Sequence, residues 1–183
     1  MLILVAPSGA GKSTLLERIL AEKDELVDVI TFTTREKREG EKEGNPYHFV
    51  TPERFFELRD QGFFVEWARV HSNFYGTPID QIERAWGLGK TVIMDLDIQG
   101  ADACKARFPQ ARTIFVLPPS LDELRRRVLS RSLTPPPDLD LRMENAKREM
   151  ARSQDCDFQL LNGDLELAYL DFKKYIEEFL KQG

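Results

Sequence analysis

Residues 6–14 read Ala6-Pro7-Ser8-Gly9-Ala10-Gly11-Lys12-Ser13-Thr14. An apolar run, Leu2-Ile3-Leu4-Val5, leads into them, and the helical pattern Leu15-Leu16-Glu17-Arg18-Ile19-Leu20 leads out. Strand, small-residue loop and helix is the context that a phosphate-binding P-loop requires. Glycines let the backbone turn tightly and approach an anion closely. The N–H groups at the helix start then point at phosphate oxygens, and the helix dipole favours their charge. In such a loop Lys12 reaches the β- and γ-phosphates and the Ser13 hydroxyl can ligate Mg²⁺. The strict pattern begins with Gly, and Ala6 stands in that place. The plainer alternative is a Gly/Ser turn after an edge strand. Gly11-Lys12-Ser13 at the strand-to-helix junction favours the cradle.

The totals bound what such a loop can serve. The 183 residues suit one domain with small mobile parts. Apolar content of 42% and charged content of 31% describe a soluble globular chain. A net charge of −5 argues against a protein that tracks nucleic-acid phosphates. No apolar run approaches the ~20 residues of a membrane span, and no signal-peptide pattern is present. Cys104 and Cys156 are too few for a disulfide framework and lack metal-site spacing, so a reducing cytoplasm and two buried thiols are expected. No internal repeat is found.

Outward from the loop, a first helix is expected from Lys12 to about Lys23, and a second strand over Val27 to Phe32. Thr33 to Pro46 is dense in charge and carries two glycines and a proline, so it reads as a loop. Its arginines Arg35 and Arg38 are either a solvated surface or a phosphate clamp, for which the guanidinium fork is suited. Tyr47 to Val50 is a short strand. Thr51-Pro52 caps and opens a helix that stops at Gly62. Phe63 to Val70 is a strand that holds Glu66 among apolar residues, where it needs a partner, a shifted pKa or a wet face. Asn73 to Gly76 reads as a turn, and a helix starts at Thr77-Pro78.

Lys90 to Asp95 is a buried strand that ends in a carboxylate, with Asp97 two residues on. Asp95 can hold a water of Mg²⁺, and Asp97 can cap the next helix, which runs to about Phe108. Thr113 to Leu117 is a strand, and Ser120 with Glu123 forms a capping box. The helix that follows carries Arg125, Arg126, Arg127 and Arg131. Leu133-Thr134-Pro135-Pro136-Pro137 interrupts it, and a helix with Arg142 begins near Asp138. Two helices joined by a stiff loop, with arginines near the joint, look like a lid; a solvated face with i,i+4 partners is the alternative. Phe158 to Leu161 is a last strand, and Leu165 to Leu180 an amphipathic core helix. Alternating strands and helices indicate an α/β fold with a parallel sheet of the P-loop NTPase type.

Taken in order, these motifs resemble the guanylate kinase family from Leu2 to about Leu180. The resemblance rests on the loop at 6–14, on Thr33-Thr34-Arg35-Glu36-Lys37-Arg38-Glu39-Gly40-Glu41 with Tyr47 and Phe49, and on Phe64-Val65-Glu66-Trp67-Ala68. It continues through Asn73-Phe74-Tyr75-Gly76-Thr77, Asp95-Leu96-Asp97-Ile98-Gln99-Gly100 and Pro118-Pro119-Ser120. It implies transfer of the ATP γ-phosphoryl group to GMP or dGMP, with Mg²⁺ as cofactor and no nucleic-acid or membrane partner. It implies a core of residues 1–32, 83–126 and 148–183, an inserted mixed β GMP-binding subdomain at about 33–82, and a helical lid at about 127–147.

By position, Arg35, Arg38, Tyr47 and Tyr75 would hold the GMP phosphate. Glu66 and Asp97 would accept from the guanine N1–H and 2-amino group, with the Thr31 and Thr77 hydroxyls on the base and Thr77 donating to O6. Glu41 and Asp95 complete the implied GMP site. The loop from Ala6 to Thr14, with Arg127, Arg131 and Asn162, would bind ATP, Asn162 near the adenine. Lys12, Arg35, Arg131 and Arg142 would serve catalysis, and Ser13 and outer-shell Asp95 the metal. The acceptor is a phosphate whose second pKa is ~6, so no general base is required, and catalysis reduces to alignment and charge neutralisation.

This chain departs from the family's pattern in Thr31 and Thr77 for Ser, in Ser130-Arg131-Ser132 for Gly-Arg-Gly, and in the three lid prolines. A non-catalytic phosphopeptide-binding module and a sugar-phosphate kinase are the competing readings. The intact Lys12 and Ser13 oppose the first, and the base-reading set Glu66, Thr77 and Asp97 opposes the second.

Overall fold

The computed structural model describes residues 1–70, 72–130, 136 and 138–181. Its centre is β1 (Leu2–Val5), whose four side chains are excluded from water. A strand buried on both faces reads as an unbroken apolar run, because neither face can carry a polar residue without a partner. β8 (Thr91–Leu96) and β9 (Arg112–Leu117) flank it. β2 (Leu26–Val27) and β10 (Phe158–Leu161) lie outside them, giving the order β10-β9-β1-β8-β2 with every pair parallel.

Alternation along β1 divides the core. Leu2 and Leu4 pack with Leu15 and Ile19 of α1 (Lys12–Glu22) and with Tyr169, Phe172 and Ile176 of α7 (Leu165–Leu180). Ile3 and Val5 face the opposite way, toward Ile82 of α3 (Ile79–Gly87) and Ala101 and Cys104 of α4 (Ile98–Arg107). Helices thus cover both faces of the sheet, as the apolar pattern requires.

A second, mixed sheet has the order β4-β5-β3-β7-β6. It comprises β3 (Phe32–Thr33), β4 (Lys42–Glu43), β5 (Pro46–Phe49), β6 (Phe64–Val70) and β7 (Asn73–Pro78). The β3–β5 and β4–β5 pairs are parallel, whereas β7 runs antiparallel to both β3 and β6. Its own small core joins Phe64 to Phe55 and Leu58 of α2 (Pro52–Asp60). Thr51 caps α2 by accepting from the Arg54 amide, with Pro52 at the first helical position, as expected. Packing of α4 against β6 ties the two sheets together.

Three local expectations need correction. Val27 to Phe32 is not one strand: β2 pairs with β8 and β3 belongs to the second sheet. Between them the Gln81 carboxamide takes both backbone groups of Ile30, accepting its N–H at 2.9 Å and donating to its carbonyl at 3.3 Å. A side chain from α3 therefore replaces the ladder there. Asn73 to Gly76 is strand, not turn, and Asn73 pairs with Val70 of β6. Gly76 serves close approach instead, since a Cβ there would lie 2.9 Å from the Phe64 ring. Thr33 to Pro46 carries the short β4 and the start of β5. Of the two thiols, Cys104 is buried and Cys156 half-buried.

α5 (Leu121–Ser130) and α6 (Leu139–Ala151) pack against each other beyond β9. The Ser120 hydroxyl accepts from the Glu123 amide at 3.1 Å. Arg131 and most of the expected lid tip, residues 132–135 and 137, lie outside the described residues, as does His71. Among the described residues, no helix is long and apolar enough to cross a membrane.

Candidate functional site

In a parallel sheet all strands end on one edge, and ligands bind beyond it. The loop Ala6–Gly11 leaves the end of β1 there, and Asp95 and Asp97 lie at the end of β8. Gly9 and Gly11 have φ of 97° and 95°, in the left-handed region open to glycine. α1 then starts with no side-chain cap and no acid in its first turn. Ser13 and Thr14 are exposed at this helix start. Lys12 bends toward the end of β8: its Nζ donates to the Leu96 carbonyl at 3.2 Å and lies 3.3 Å from Asp95 Oδ2.

A cleft of about 590 Å³ opens between the two sheets. Ser13 and Asp95 form its floor on the parallel-sheet side. Thr31, Arg35, Arg38, Glu41, Tyr47 and Tyr75 come from the second sheet and its loop. Arg35 is held in a two-pronged pair with Glu41, at 2.8 and 3.0 Å, and Glu41 also accepts from the Arg38 amide at 2.8 Å. Arg35 holds the Glu41 carboxyl below the usual carboxylate range. The Tyr47 and Tyr75 rings meet edge to face, 5.7 Å between centroids. Burial pushes the Tyr47 phenol up to about 12, so it remains a neutral donor. These six residues, scattered over 45 positions of sequence from Thr31 to Tyr75, therefore share one wall.

Glu66, Thr77 and Asp97 form a second group, where β6 and β7 meet the start of α4. Glu66 is 6% exposed, and the fully buried Thr77 hydroxyl donates to its Oε1 at 2.5 Å. Asp97 caps α4 by accepting from the Gly100 amide at 2.7 Å. A Cβ on Gly100 would stand 2.9 Å from Glu66 Oε2 and 3.2 Å from Asp97 Oδ1, so both carboxylates converge on this glycine. Burial, reinforced by the Asp97 charge and opposed by the Thr77 hydrogen bond, pushes the Glu66 carboxyl up to about 7. Residues 31 and 77 thus differ: Thr31 lies on the cleft wall, whereas the Thr77 hydroxyl already donates its hydrogen bond to Glu66.

The arginines divide as well. Arg127 lies against the end of β10, its Nε on Glu123 at 2.8 Å and its Nη2 donating to the Asn162 carbonyl at 3.0 Å. Arg142 pairs with Asp138 at 2.8 Å on α6. Asn162, 3% exposed, donates from Nδ2 to the Ala10 carbonyl at 2.8 Å.

Two carboxylates at the site escaped the sequence reading. Asp28 lies on the cleft wall near Asp95, and the surrounding protein and that charge push it up to about 7. Asp28 is also open to cleft water, which screens the effect. A lone Asp inside Val27-Asp28-Val29-Ile30 was the available signal. Burial likewise raises the Glu149 carboxyl on α6, which feels both Lys12 and Asp97. Nothing in its local sequence separates it from a surface Glu.

Comparison with known proteins addresses the whole chain. The family model described as "Guanylate kinase" matches residues 1–179. A guanylate kinase of Bdellovibrio bacteriovorus is 49% identical over 180 residues, covering 98% of this chain and 97% of that protein. One from Nitratidesulfovibrio vulgaris is 43% identical over 181 residues, covering 98% and 87%. The crystal structure of guanylate kinase from Anaplasma phagocytophilum superposes with a TM-score of 0.79 at 31% identity, covering 97% of this chain and 84% of that one. A loop-bearing parallel sheet, a second mixed sheet across a cleft and these full-length matches agree, and the chain belongs to the guanylate kinase family.

Proposed function

We propose that the chain transfers the γ-phosphoryl group of ATP to GMP or dGMP, giving ADP and the guanosine diphosphate, in the cytoplasm. The observation that carries the acceptor's identity is the buried Glu66 carboxylate, hydrogen-bonded to Thr77 and converging with Asp97 on Gly100. Guanine offers two donors on one edge, N1–H and the 2-amino group, which suit two acceptors. Adenine presents no such pair and leaves a buried carboxylate unpaired, the situation that gives large discrimination.

The residues divide the work as follows. Arg35, Arg38, Tyr47 and Tyr75 hold the GMP phosphate, and Glu41 fixes the Arg35 fork in its plane so that little side-chain freedom is lost on binding. Thr31 contacts the nucleotide from the cleft wall. The amides of residues 6–14 cradle the ATP phosphates, and Lys12 swings from Asp95 and Leu96 onto the β- and γ-phosphates. Arg127, Arg131 and Arg142 approach from the lid to neutralise charge on the transferring group. Closing the cleft excludes water, which would otherwise take the phosphoryl group in place of GMP. The acceptor oxygen is already ionised near neutral pH, so no side chain need act as base.

Mg²⁺ suits the donor set here, which is all oxygen: the exposed Ser13 hydroxyl and Asp95. Among the described residues no three His, Cys, Asp or Glu side chains gather as a metal site. That fits an ion held mainly by substrate phosphates and waters with one or two protein ligands. Ser13 would bind it directly and Asp95 through water, and its role is to neutralise charge on the β- and γ-phosphates.

We place the boundaries at a core of residues 1–32, 83–126 and 148–183, a GMP-binding part at 33–82 and a lid at 127–147. The test is a coupled assay of diphosphate formation with ATP and Mg²⁺ across GMP, AMP, UMP and CMP. GMP is expected to exceed AMP by at least 10³-fold in kcat/KM, and equal rates would reject the guanine assignment.

A further inference from the structure

We propose that Asn162 is a positioning residue for the phosphate cradle: it holds the Ala10–Gly11 peptide from behind and so aims the Gly11 N–H at the ATP phosphates. The inference rests on the reading of residues 6–14 as an anion cradle. It gives Asn162 a role that involves no contact with adenine.

Asn162 is anchored at both ends of its own backbone. Its N–H donates to the Leu117 carbonyl at 2.7 Å, and its carbonyl accepts from Arg127 at 3.0 Å. The side chain has little choice of direction from there. Its Nδ2 donates to the Ala10 carbonyl at 2.8 Å, a bond between residues 152 positions apart. In a trans peptide the carbonyl oxygen and the next residue's N–H point in opposite directions. Fixing the Ala10 oxygen at the back of the loop therefore turns the Gly11 N–H to the front. Without that bond the peptide can rotate and present its oxygen to the anion, which repels phosphate. A donor already aimed at the anion needs no reorganisation when the charge arrives.

Sterics at Gly11 point the same way. A Cβ on this residue would lie 2.3 Å from Asn162 Nδ2, well inside contact distance. Gly11 and Asn162 are thus a fitted pair: the glycine leaves room for the carboxamide, and the carboxamide sets the loop. Only a donor suits the position. Asp in the same shape would set two oxygens against each other behind a loop that must attract anions.

The test uses the full chain with Asn162→Ala and the isosteric Asn162→Asp. Binding of inorganic tripolyphosphate, ADP and GMP is measured by calorimetry with Mg²⁺, and KM for ATP and GMP by steady-state kinetics. Tripolyphosphate carries the phosphates without the base. Both variants are expected to weaken tripolyphosphate and ADP by the same factor, ~10-fold or more, and to raise KM for ATP while leaving GMP affinity within twofold. ADP weakened with tripolyphosphate unchanged would make Asn162 an adenine contact and overturn the proposal. An equal loss of GMP binding would make it a general packing residue and also overturn it. Failure of the unaltered chain to bind tripolyphosphate while binding ADP would instead sink the cradle reading itself.

Discussion

The two sheets solve different problems. The parallel sheet is built on β1, a strand fully shielded from water, and on the proposed function its loop binds through backbone amides. The second sheet includes two-residue strands and a three-residue buried core, and on the proposed function it would bind through side chains. A backbone cradle recognises phosphate whatever is attached to it, so it needs rigidity more than chemical variety. A base-reading site needs particular acceptors in particular places, so it needs carboxylates and accepts the cost of burying them. On the proposed function, the difference teaches where each substrate would be recognised: the triphosphate in the loop, the guanine at Glu66 and Asp97.

The sharpest way to break this comparison is Lys12→Ala. It should lower kcat by at least 10³-fold and leave GMP affinity within twofold, read by coupled assay and by calorimetry. A large loss of GMP binding would mean that the two regions are not separable. Next comes Glu66→Gln, which removes the charged acceptor and presents a donor to guanine. GMP affinity should fall ~100-fold while ADP affinity is unchanged. Equal losses would count against Glu66 as a base reader.

Phe55→Ala in the second sheet's core and Phe172→Ala in the parallel sheet's core sharpen the structural side. Both residues are fully buried, and each truncation is expected to remove ~3–5 kcal/mol locally. Phe172→Ala should lower the melting temperature of the whole chain and weaken both ligands. Phe55→Ala should weaken GMP more than ADP. Identical profiles would mean that the sheets unfold as one unit.

The smallest effect expected is that of pH. Burial pushes the Glu66 carboxyl up to about 7, and on the proposed function its charged form is the one that accepts from guanine. Its protonated fraction grows as pH falls below 7, so GMP binding should weaken ~10-fold between pH 8 and pH 6 beyond the change in Glu66→Gln. That variant also accounts for titration of the GMP phosphate. A wild-type profile parallel to that of Glu66→Gln would remove the carboxyl from the base site.

Legibility from sequence follows the same division. β1, the loop and α1 could be read directly, because an unbroken apolar run before Gly11-Lys12-Ser13 has few other uses. α7 was also legible, its core stripe coinciding with Leu165 to Leu180. The second sheet was legible as mixed β, but not in detail. Gln81 takes the backbone groups of Ile30 from 51 residues away, and the Phe64 ring, not a turn, accounts for Gly76. The candidate site residues Arg35, Glu66 and Asp97 emerged mainly through a resemblance, since spacing alone left a plain surface or capping role open for each. What no local pattern carries is which side chain meets which: Glu41 on Arg35, Thr77 on Glu66 and, 152 positions apart, Asn162 on Ala10.

The most direct measurement is a crystal structure of the chain with GMP and an ATP analogue. The account predicts guanine N1 and the 2-amino group within hydrogen-bond distance of Glu66 and Asp97, and the GMP phosphate on Arg35 and the paired tyrosines. A guanine ring seated away from both carboxylates would contradict it.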